Sequence, residues 1–338
     1  MKLSWKQFNL ELKYIFKIAR GASLVEPIII LELEHDGIIG YGESSPISRY
    51  HESVETVSDF LKIVDLSRFE SPFQLEEINR YLDSLGSGNT AARCAIDLAL
   101  YDWVSKKLNL PLSKYLGIGN LPTPVSSFTI GIDTLEIIEK KVHEAEKYPI
   151  LKIKVGLDND EEIIRTIRKI TDKVLRVDAN EGWRDKFVAL EKIKWLKDQN
   201  VEFIEQPMPA SQLDDLKWLR EKSVLPLIAD ESVMSSKSIP QIKDAFDGIN
   251  IKLMKSTGLH EAIKMINTAR AMNMKIMLGC MIESSVAISS AIHLSPLVDY
   301  ADLDGNVLIT NDPFEGCENE NGKLKIIDRI GHGAIPKK

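Results

Sequence analysis

Cysteine is scarce in this chain of 338 residues: Cys94, Cys280 and Cys317 are odd in number and scattered. They form neither a disulfide framework nor a zinc spacing, and they suit a reducing compartment. Basic charge is not in surplus either. Lys and Arg number 43 against 50 Asp and Glu, for a net charge of −7 and a pI of about 5.6. A nucleic-acid partner would call for a basic stripe. No apolar run approaches a membrane span, and MKLSWKQFNLELKYIF at the start is too polar for a signal peptide. The expected setting is the cytoplasm, with neither nucleic acid nor membrane as partner. His35, His51, His143, His260, His293 and His332 make no ligand pair at helical spacing. They read as surface or capping residues, with His51 near a loop of interest below. Cys280 reads as a small packed residue rather than a nucleophile. What is present, 44% apolar and 28% charged residues, is the composition of a globular protein.

The first third mixes strands and helices. PIIILELEH (27–35) and IIGYGE (38–43) flank Asp36-Gly37, a strong hairpin signal. TAARCAIDLALYDWVSKKL (90–108) carries a helical apolar period, with Ala92, Ala95, Ile96, Ala99, Leu100 and Trp103 on one side. From about Pro122 the pattern changes to short apolar segments alternating with amphipathic helices. The segments are SSFTIG (126–131), ILKIKV (150–155), VLRVDAN (174–180), VEFIEQP (201–207), LPLIADE (225–231), GINIKL (248–253), KIMLGC (275–280) and VDYADLDG (298–305). Eight strands with seven intervening helices predict a parallel sheet closed into a modified TIM barrel, (β/α)7β. The alternative, a doubly wound open sheet, usually carries a Gly-rich first turn, and none is present. The expected division is an α+β capping domain over 1–121, a barrel over 122–312, and a tail, about 313–338, placed to return to the capping domain.

Charged residues gather where barrel strands end. In ILKIKVG, Leu151, Ile153 and Val155 alternate with Lys152 and Lys154, so both lysines share one face. A half-buried strand with one wet face is the plain explanation. The other strands argue for more: they end in Asp178 and Asn180, Glu205 and Gln206, Asp230 and Glu231, Lys252, and Asp302 and Asp304. Barrel active sites lie at the C-terminal strand ends. Carboxylates on three successive strands, about 4.8 Å apart, would repel each other unless a hard cation sat among them. Asp178, Glu205 and Asp230 are therefore expected to ligate Mg²⁺. A lysine acts as a base only when neutral, and neighbouring cations and burial push it that way. Two lysines on opposite walls address both faces of a carbon between them. A metal would stabilise the enediolate left when a carbon beside a carboxylate loses its proton. Lys255, an odd number of residues from Lys252, is expected to point to the other face if the strand continues.

These motifs resemble the enolase superfamily, in its muconate-lactonising-enzyme subgroup, over nearly the whole chain. LKIKVG looks like the Lys-x-Lys strand, RVDANEGW, FIEQP and IADES like the three metal strands, and NIKLMKSTG like the strand of the opposing lysine. The resemblance implies Lys154 and Lys252 as paired acid/base residues, Lys152 as an auxiliary cation, Mg²⁺ as cofactor and a homo-oligomer. It also implies a capping domain whose loops, near residues 16–24 and 43–52, close over the barrel mouth. Asp302-x-Asp304, with no lysine or arginine close in sequence, resembles the pair that binds the substrate ammonium in dipeptide epimerases. GCMIES (279–284) resembles their seventh strand, which places Met281 and Glu283 as substrate neighbours; Glu283 reads equally as a partner of Lys252 or of nearby backbone. The implied reaction inverts the α-carbon of the C-terminal residue of a dipeptide. Arg20, with Arg49 as a second candidate, would favour L-Ala-D/L-Glu. A pocket of Ile18, Ala19 and Ala22 would favour another L-Ala-X or a hydrophobic dipeptide. The alternatives are an o-succinylbenzoate synthase, an N-acylamino acid racemase or a muconate cycloisomerase of the same subgroup, or a silent barrel that only binds. Dianionic substrates would be repelled by Asp302 and Asp304, and a silent barrel would be expected to have lost a lysine or a carboxylate.

Overall fold

The computed structural model describes residues 1–119 and 121–338. The N-terminal unit is a three-stranded antiparallel sheet: β1 (Lys2–Ile18), β2 (Gly21–His35) and β3 (Ile38–Ser44). Asp36 and Gly37 turn β2 into β3, both at positive φ, as an Asp-Gly hairpin prefers. The β1–β2 ribbon carries an irregularity between Glu11 and Phe16 and ends in a turn at Ala19 and Arg20. Helices α1 (Val54–Ile63), α2 (Leu75–Ser84), α3 (Thr90–Lys107) and α4 (Leu112–Tyr115) complete this unit.

The sequence pattern assigns α3 one apolar face, but the helix is buried from Ala91 to Ser105 at every position except Arg93. Ala92, Ala95, Ile96, Ala99, Leu100 and Trp103 pack with Ile29, Leu31 and Leu33 of the sheet. Ala91, Cys94, Leu98 and Tyr101 join the barrel's core instead. α3 is thus the wall that the two units share. Gly40 and Gly42 allow β3 to lie against it, since a Cβ at either would strike the carbonyls of Ala99 or Ala95.

The eight expected barrel strands are β4 (Phe128–Ile130), β5 (Ile150–Lys154), β6 (Val174–Asp178), β7 (Val201–Glu205), β8 (Leu227–Ala229), β9 (Gly248–Lys252), β10 (Lys275–Gly279) and β11 (Tyr300–Asp302). They pair in parallel in strictly consecutive order. A bridge from Ser126 to Ala301, with the Ser127 amide donating to the Ala301 carbonyl at 3.1 Å, closes the ring. Consecutive order with closure excludes the doubly wound sheet, whose order reverses at a switch point. The connecting helices are α5 (Leu135–Glu144), α6 (Asp160–Arg168), α7 (Lys186–Lys197), α8 (Leu213–Lys222), α9 (Ile239–Ile242), α10 (Leu259–Ala271) and α11 (Ser285–Leu294). They are not of comparable length: α9 is a single turn.

Alternation along each strand sends Leu151, Ile153 and Val155 out to the helices and Lys152 and Lys154 into the barrel. The inward face is not wet. Lys152 is 1% exposed and Lys154 6%. Below them Phe203, Ile228 and Met277 form an apolar floor, with the Arg176 guanidinium stacked on Phe203 and Tyr300. After the barrel, β12 (Phe314–Glu315) pairs with β15 (Ile335–Pro336), and β13 (Glu318–Glu320) with β14 (Lys323–Lys325). Gly331 exchanges backbone hydrogen bonds with Leu110 and Leu112, and the His332 amide donates to Asp102 of α3 at 3.0 Å. No described helix is long and apolar enough to cross a membrane.

Candidate active site

In a closed ring of eight strands, those four places apart face each other. β5 and β9 are such a pair, so Lys154 and Lys252 stand on opposite walls. β7 and β11 are another, so Glu205 faces Asp302 across the mouth. Asp178 at the end of β6 and Asp230 just beyond β8 flank Glu205. Oxygens of these three buried carboxylates lie within 4.8 Å of one another. The four groups form a cross: carboxylates on one side, Asp302 and Asp304 opposite, and a lysine on each remaining wall.

The ammonium groups and carboxylates are in contact. Lys154 Nζ lies 2.6 Å from Asp178 Oδ2, and Lys252 Nζ lies 2.8 Å from Asp230 Oδ2. Lys152 Nζ is 2.7 Å from Glu205, 3.2 Å from Asp178 and 2.7 Å from Asp302. Lys152 and Lys252 do not behave as the spacing suggests. Burial alone would lower Lys152, but Asp302, Glu205 and Asp178 together raise it well above the ordinary range. Burial likewise opposes the charge on Lys252, and Asp230 beside it reverses the effect, so it too is raised. Carboxylate neighbours outweigh the neighbouring cations. Glu205 is pushed up to about 7 by burial and by Asp178.

Asp302 and Asp304 also differ from expectation. Asp302 has a counter-ion in space, Lys152, and accepts from the Ser127 hydroxyl at 2.7 Å. Its pKa is lowered, Lys152 overcoming the effect of burial. Asp304 is pushed up to about 7 by burial and by Asp302. Its Oδ2 accepts from the Thr129 amide at 2.6 Å, while Oδ1 has only the Cys280 thiol at 4.0 Å.

The cap loops reach this cross. Arg20, at the tip of the β1–β2 ribbon, donates to the Asn180 carbonyl at 2.7 Å, and its guanidinium lies 2.6 Å from Glu231 and 3.3 Å from Glu181. Arg49 donates twice to Glu181, at 2.9 and 3.1 Å. The guanidinium of Arg20 is therefore already compensated, and an acidic ligand would have to share it. The cavity here, of about 780 Å³, is lined by Arg20, Arg49, Met281 and Asp304 among others, and by Ile18 and Ala22. Ala19 lines a second cavity of about 620 Å³ beyond the Arg20 contacts. Glu283 does not line the main cavity; its Oε1 accepts the Met281 amide at 2.9 Å, bracing that loop. His51 is exposed and does not line it, whereas Tyr50, which sequence reasoning passed over, does. His293 and His332 are fully buried rather than superficial.

Two further residues escaped sequence reasoning. Lys255 was expected on the far face of a continuing strand, but β9 ends at Lys252 and the chain turns, the Lys255 amide donating to the Lys252 carbonyl at 3.0 Å. Three residues on in a turn lie on the same side, not the opposite one. The Lys255 ammonium reaches Asp230 Oδ1 at 2.6 Å. Asn250 precedes Lys252 by two and therefore shares its face, a signal that alternation did offer. Its amide donates to Glu205 Oε1 at 2.8 Å, in space that glycine at 279 leaves free. The donor set suits a hard divalent cation: all oxygen, buried, and with Glu205 Oε2 accepting no hydrogen bond although Lys152 lies 2.7 Å away.

Comparison with known proteins adds the family. Residues 6–117 match the mandelate racemase / muconate lactonizing enzyme N-terminal domain, and residues 137–337 the enolase C-terminal domain-like family. The L-Ala-D/L-Glu epimerase of Bacteroides thetaiotaomicron is 48% identical over 99% of this chain and 88% of that protein. The substrate-liganded L-Ala-D/L-Glu epimerase of Bacillus subtilis superposes with a TM-score of 0.92 at 27% identity, covering 99% of this chain and 98% of that one. A dipeptide epimerase of Enterococcus faecalis, complexed with Mg and L-Leu-L-Tyr, gives 0.90 at 31% identity, with 98% of each chain covered.

Proposed function

The chain belongs to the enolase superfamily, and on that premise we propose that it is a Mg²⁺-dependent dipeptide epimerase, inverting the α-carbon of the C-terminal residue. The observation that carries this reading is Asp304, buried and opposite the metal carboxylates, with Oδ1 available to a substrate ammonium. A dipeptide is an ion with a carboxylate at one end and an ammonium at the other, and it fits along that axis. Its α-carbon then lies between Lys154 and Lys252. Dianionic substrates would meet Asp302 and Asp304 unfavourably.

Asp178, Glu205 and Asp230 would hold Mg²⁺, which when bound would supply positive charge against the substrate carboxylate and take up the carboxylate charge that otherwise raises Lys252. The residues do the rest. One lysine, as the neutral amine, takes the α-proton: the C–H bond breaks and an N–H bond forms. The other, as the ammonium, delivers its proton to the opposite face. The product is the opposite configuration, and the two lysines exchange roles for the reverse reaction. Lys152, held by Asp302 and Glu205, adds fixed positive charge near the carboxylate that gains electron density. The ion pairs of Arg20 and Arg49 hold the cap loops over the cavity and keep water from the carbanionic centre.

The test is proton NMR in D₂O with Mg²⁺ and a set of L-Ala-X dipeptides. Loss of the α-proton signal of X with appearance of a second diastereomer is expected. Exchange confined to X = Glu would assign Arg20 or Arg49 to the side chain; exchange with apolar X would assign the pocket of Ile18 and Ala22. Lys154→Met and Lys252→Met should each lower epimerisation by about 10²–10⁴-fold. Folded, metal-loaded protein that exchanges N-acylamino acids but no dipeptide would overturn the assignment.

A further inference from the structure

In each of the three clustered carboxylates one oxygen is fastened by a donor other than the lysines of the barrel mouth. Asp178 Oδ1 accepts from the Asn180 amide at 2.9 Å. Glu205 Oε1 accepts from Asn250 Nδ2 at 2.8 Å. Asp230 Oδ1 accepts from Lys255 Nζ at 2.6 Å. The second oxygens, Asp178 Oδ2, Glu205 Oε2 and Asp230 Oδ2, are those that meet the lysines lining the barrel mouth. Unlike those lysines, Lys255 does not line the cavity. It is fully buried, and its ammonium has three acceptors, the Asp230 carbonyl, Asp230 Oδ1 and the Asn250 carbonyl at 3.1 Å. All three of its protons are used, so none is free for a substrate. Asn250 is also fully buried, and the missing side chain at Gly279 leaves room for its amide.

We propose that Lys255 and Asn250 are positioning residues that force Asp230 and Glu205 to present a single oxygen each, and so select a small six-coordinate cation over a larger one. The inference rests on the metal reading above. A carboxylate oxygen already held by a buried donor is turned towards that donor and makes a poorer second ligand, so single-oxygen binding is favoured. Ca²⁺ prefers six to eight ligands and often takes carboxylates through both oxygens, whereas Mg²⁺ takes an octahedron. Three single-oxygen ligands leave about half an octahedron for water or substrate. Loss of either fastening donor frees one carboxylate to rotate and bind through both oxygens.

Isothermal titration calorimetry of the full chain with Mg²⁺ alone and with Ca²⁺ alone tests this, comparing wild type, Lys255→Met and Asn250→Ala. The expected result is a fall in the Mg²⁺-over-Ca²⁺ affinity ratio of about tenfold in each variant, the scale seen when residues behind metal ligands are removed. The ratio separates positioning from simple charge, since removing the Lys255 cation by itself changes both affinities by the same factor. Asn250→Ala alters no charge, and it decides the matter if Lys255→Met does not fold. An unchanged ratio in the folded variants overturns the proposal and leaves the epimerase reading standing. Wild type that binds neither ion overturns the metal reading itself, independently of any dipeptide assay.

Discussion

Asp304 Oδ2 is occupied by the Thr129 amide at 2.6 Å, and Oδ1 meets only a thiol at 4.0 Å. Asp302, two residues earlier, has both oxygens engaged, by Ser127 and by Lys152. The two aspartates therefore serve different partners although they are spaced as a pair. Asp304 has the oxygen left over for the ammonium role proposed above, and Asp302 is first the counter-ion of Lys152. Asp304→Asn is expected to lower kcat/KM for an L-Ala-X dipeptide by about 10- to 150-fold, mostly through KM, from one charge-assisted hydrogen bond of about 1.5–3 kcal/mol. The same variant should treat an N-acetylated dipeptide no worse than wild type does, because that substrate carries no ammonium. Steady-state kinetics on both substrates checks this, and equal losses on both would refute the ammonium role.

Two barrel helices are capped by side chains of the other unit. α10 begins after Gly258, which has no side chain to cap it, and Asp97 of α3 accepts from the amides of Leu259 and His260 instead. Glu43 of β3 does the same for α11, accepting from the amides of Ser284 and Ala287 and from the Ser284 hydroxyl. Burial, against those hydrogen bonds, pushes Asp97 up to about 7 from an ordinary 3.8. A carboxyl raised in the fold is protonated there at pH values where the unfolded chain has already lost the proton. Its stabilisation is complete below about 4 and is lost as pH rises through about 7. Asp97→Asn keeps an acceptor without the charge, so its stability relative to wild type should climb with pH across that window, by at most about 1.4 kcal/mol per pH unit. Urea denaturation at about pH 5 and about pH 8 measures the climb, and a flat difference would mean that Asp97 is already ionised throughout.

The same elements show what the sequence could disclose. Lys152, Lys154 and the carboxylates were legible because a barrel strand alternates, and a charge on its inner face stands out among apolar neighbours. Asp97 and Asp102 were not, since a carboxylate within an apolar helix reads as the wet side. Here the partners are Leu259 and His332, more than 160 residues on. Lys255 was misread because a period of two was carried past the end of β9 into a turn. The Arg20 contacts with Glu231 and Asn180 join a ribbon tip to two strand ends, and no local pattern encodes such a meeting.

Besides the cap-loop contacts, the two units are joined along a seam where the C-terminal tail, α3 and the barrel meet. Among its polar contacts are two buried histidines. His293 of α11 accepts from the Ser113 amide at 3.1 Å through Nδ1, and its Nε2 lies 3.7 Å from the Cys317 thiol. His332 lies against the Tyr41 carbonyl and Asp102. Burial, with His332 nearby, lowers His293 from 6.5 to about 4. The folded protein thus keeps this ring neutral at pH values where the unfolded chain binds a proton. Stability that His293 supplies above about 6.5 should drain away as pH falls towards about 4. Asp97 and Glu43, both near 7, act with the opposite sign over part of that range, so the wild-type profile alone does not isolate the ring. The difference between wild type and His293→Gln does: the variant should be less stable at about pH 7.5, where the ring's contacts are lost, with the gap narrowing as pH falls by up to one proton's worth of slope. Urea midpoints across that range provide the measurement. A gap that stays constant would show that the seam tolerates a charged imidazole, and acid sensitivity would then have to originate in the carboxylate–lysine cluster at the barrel mouth.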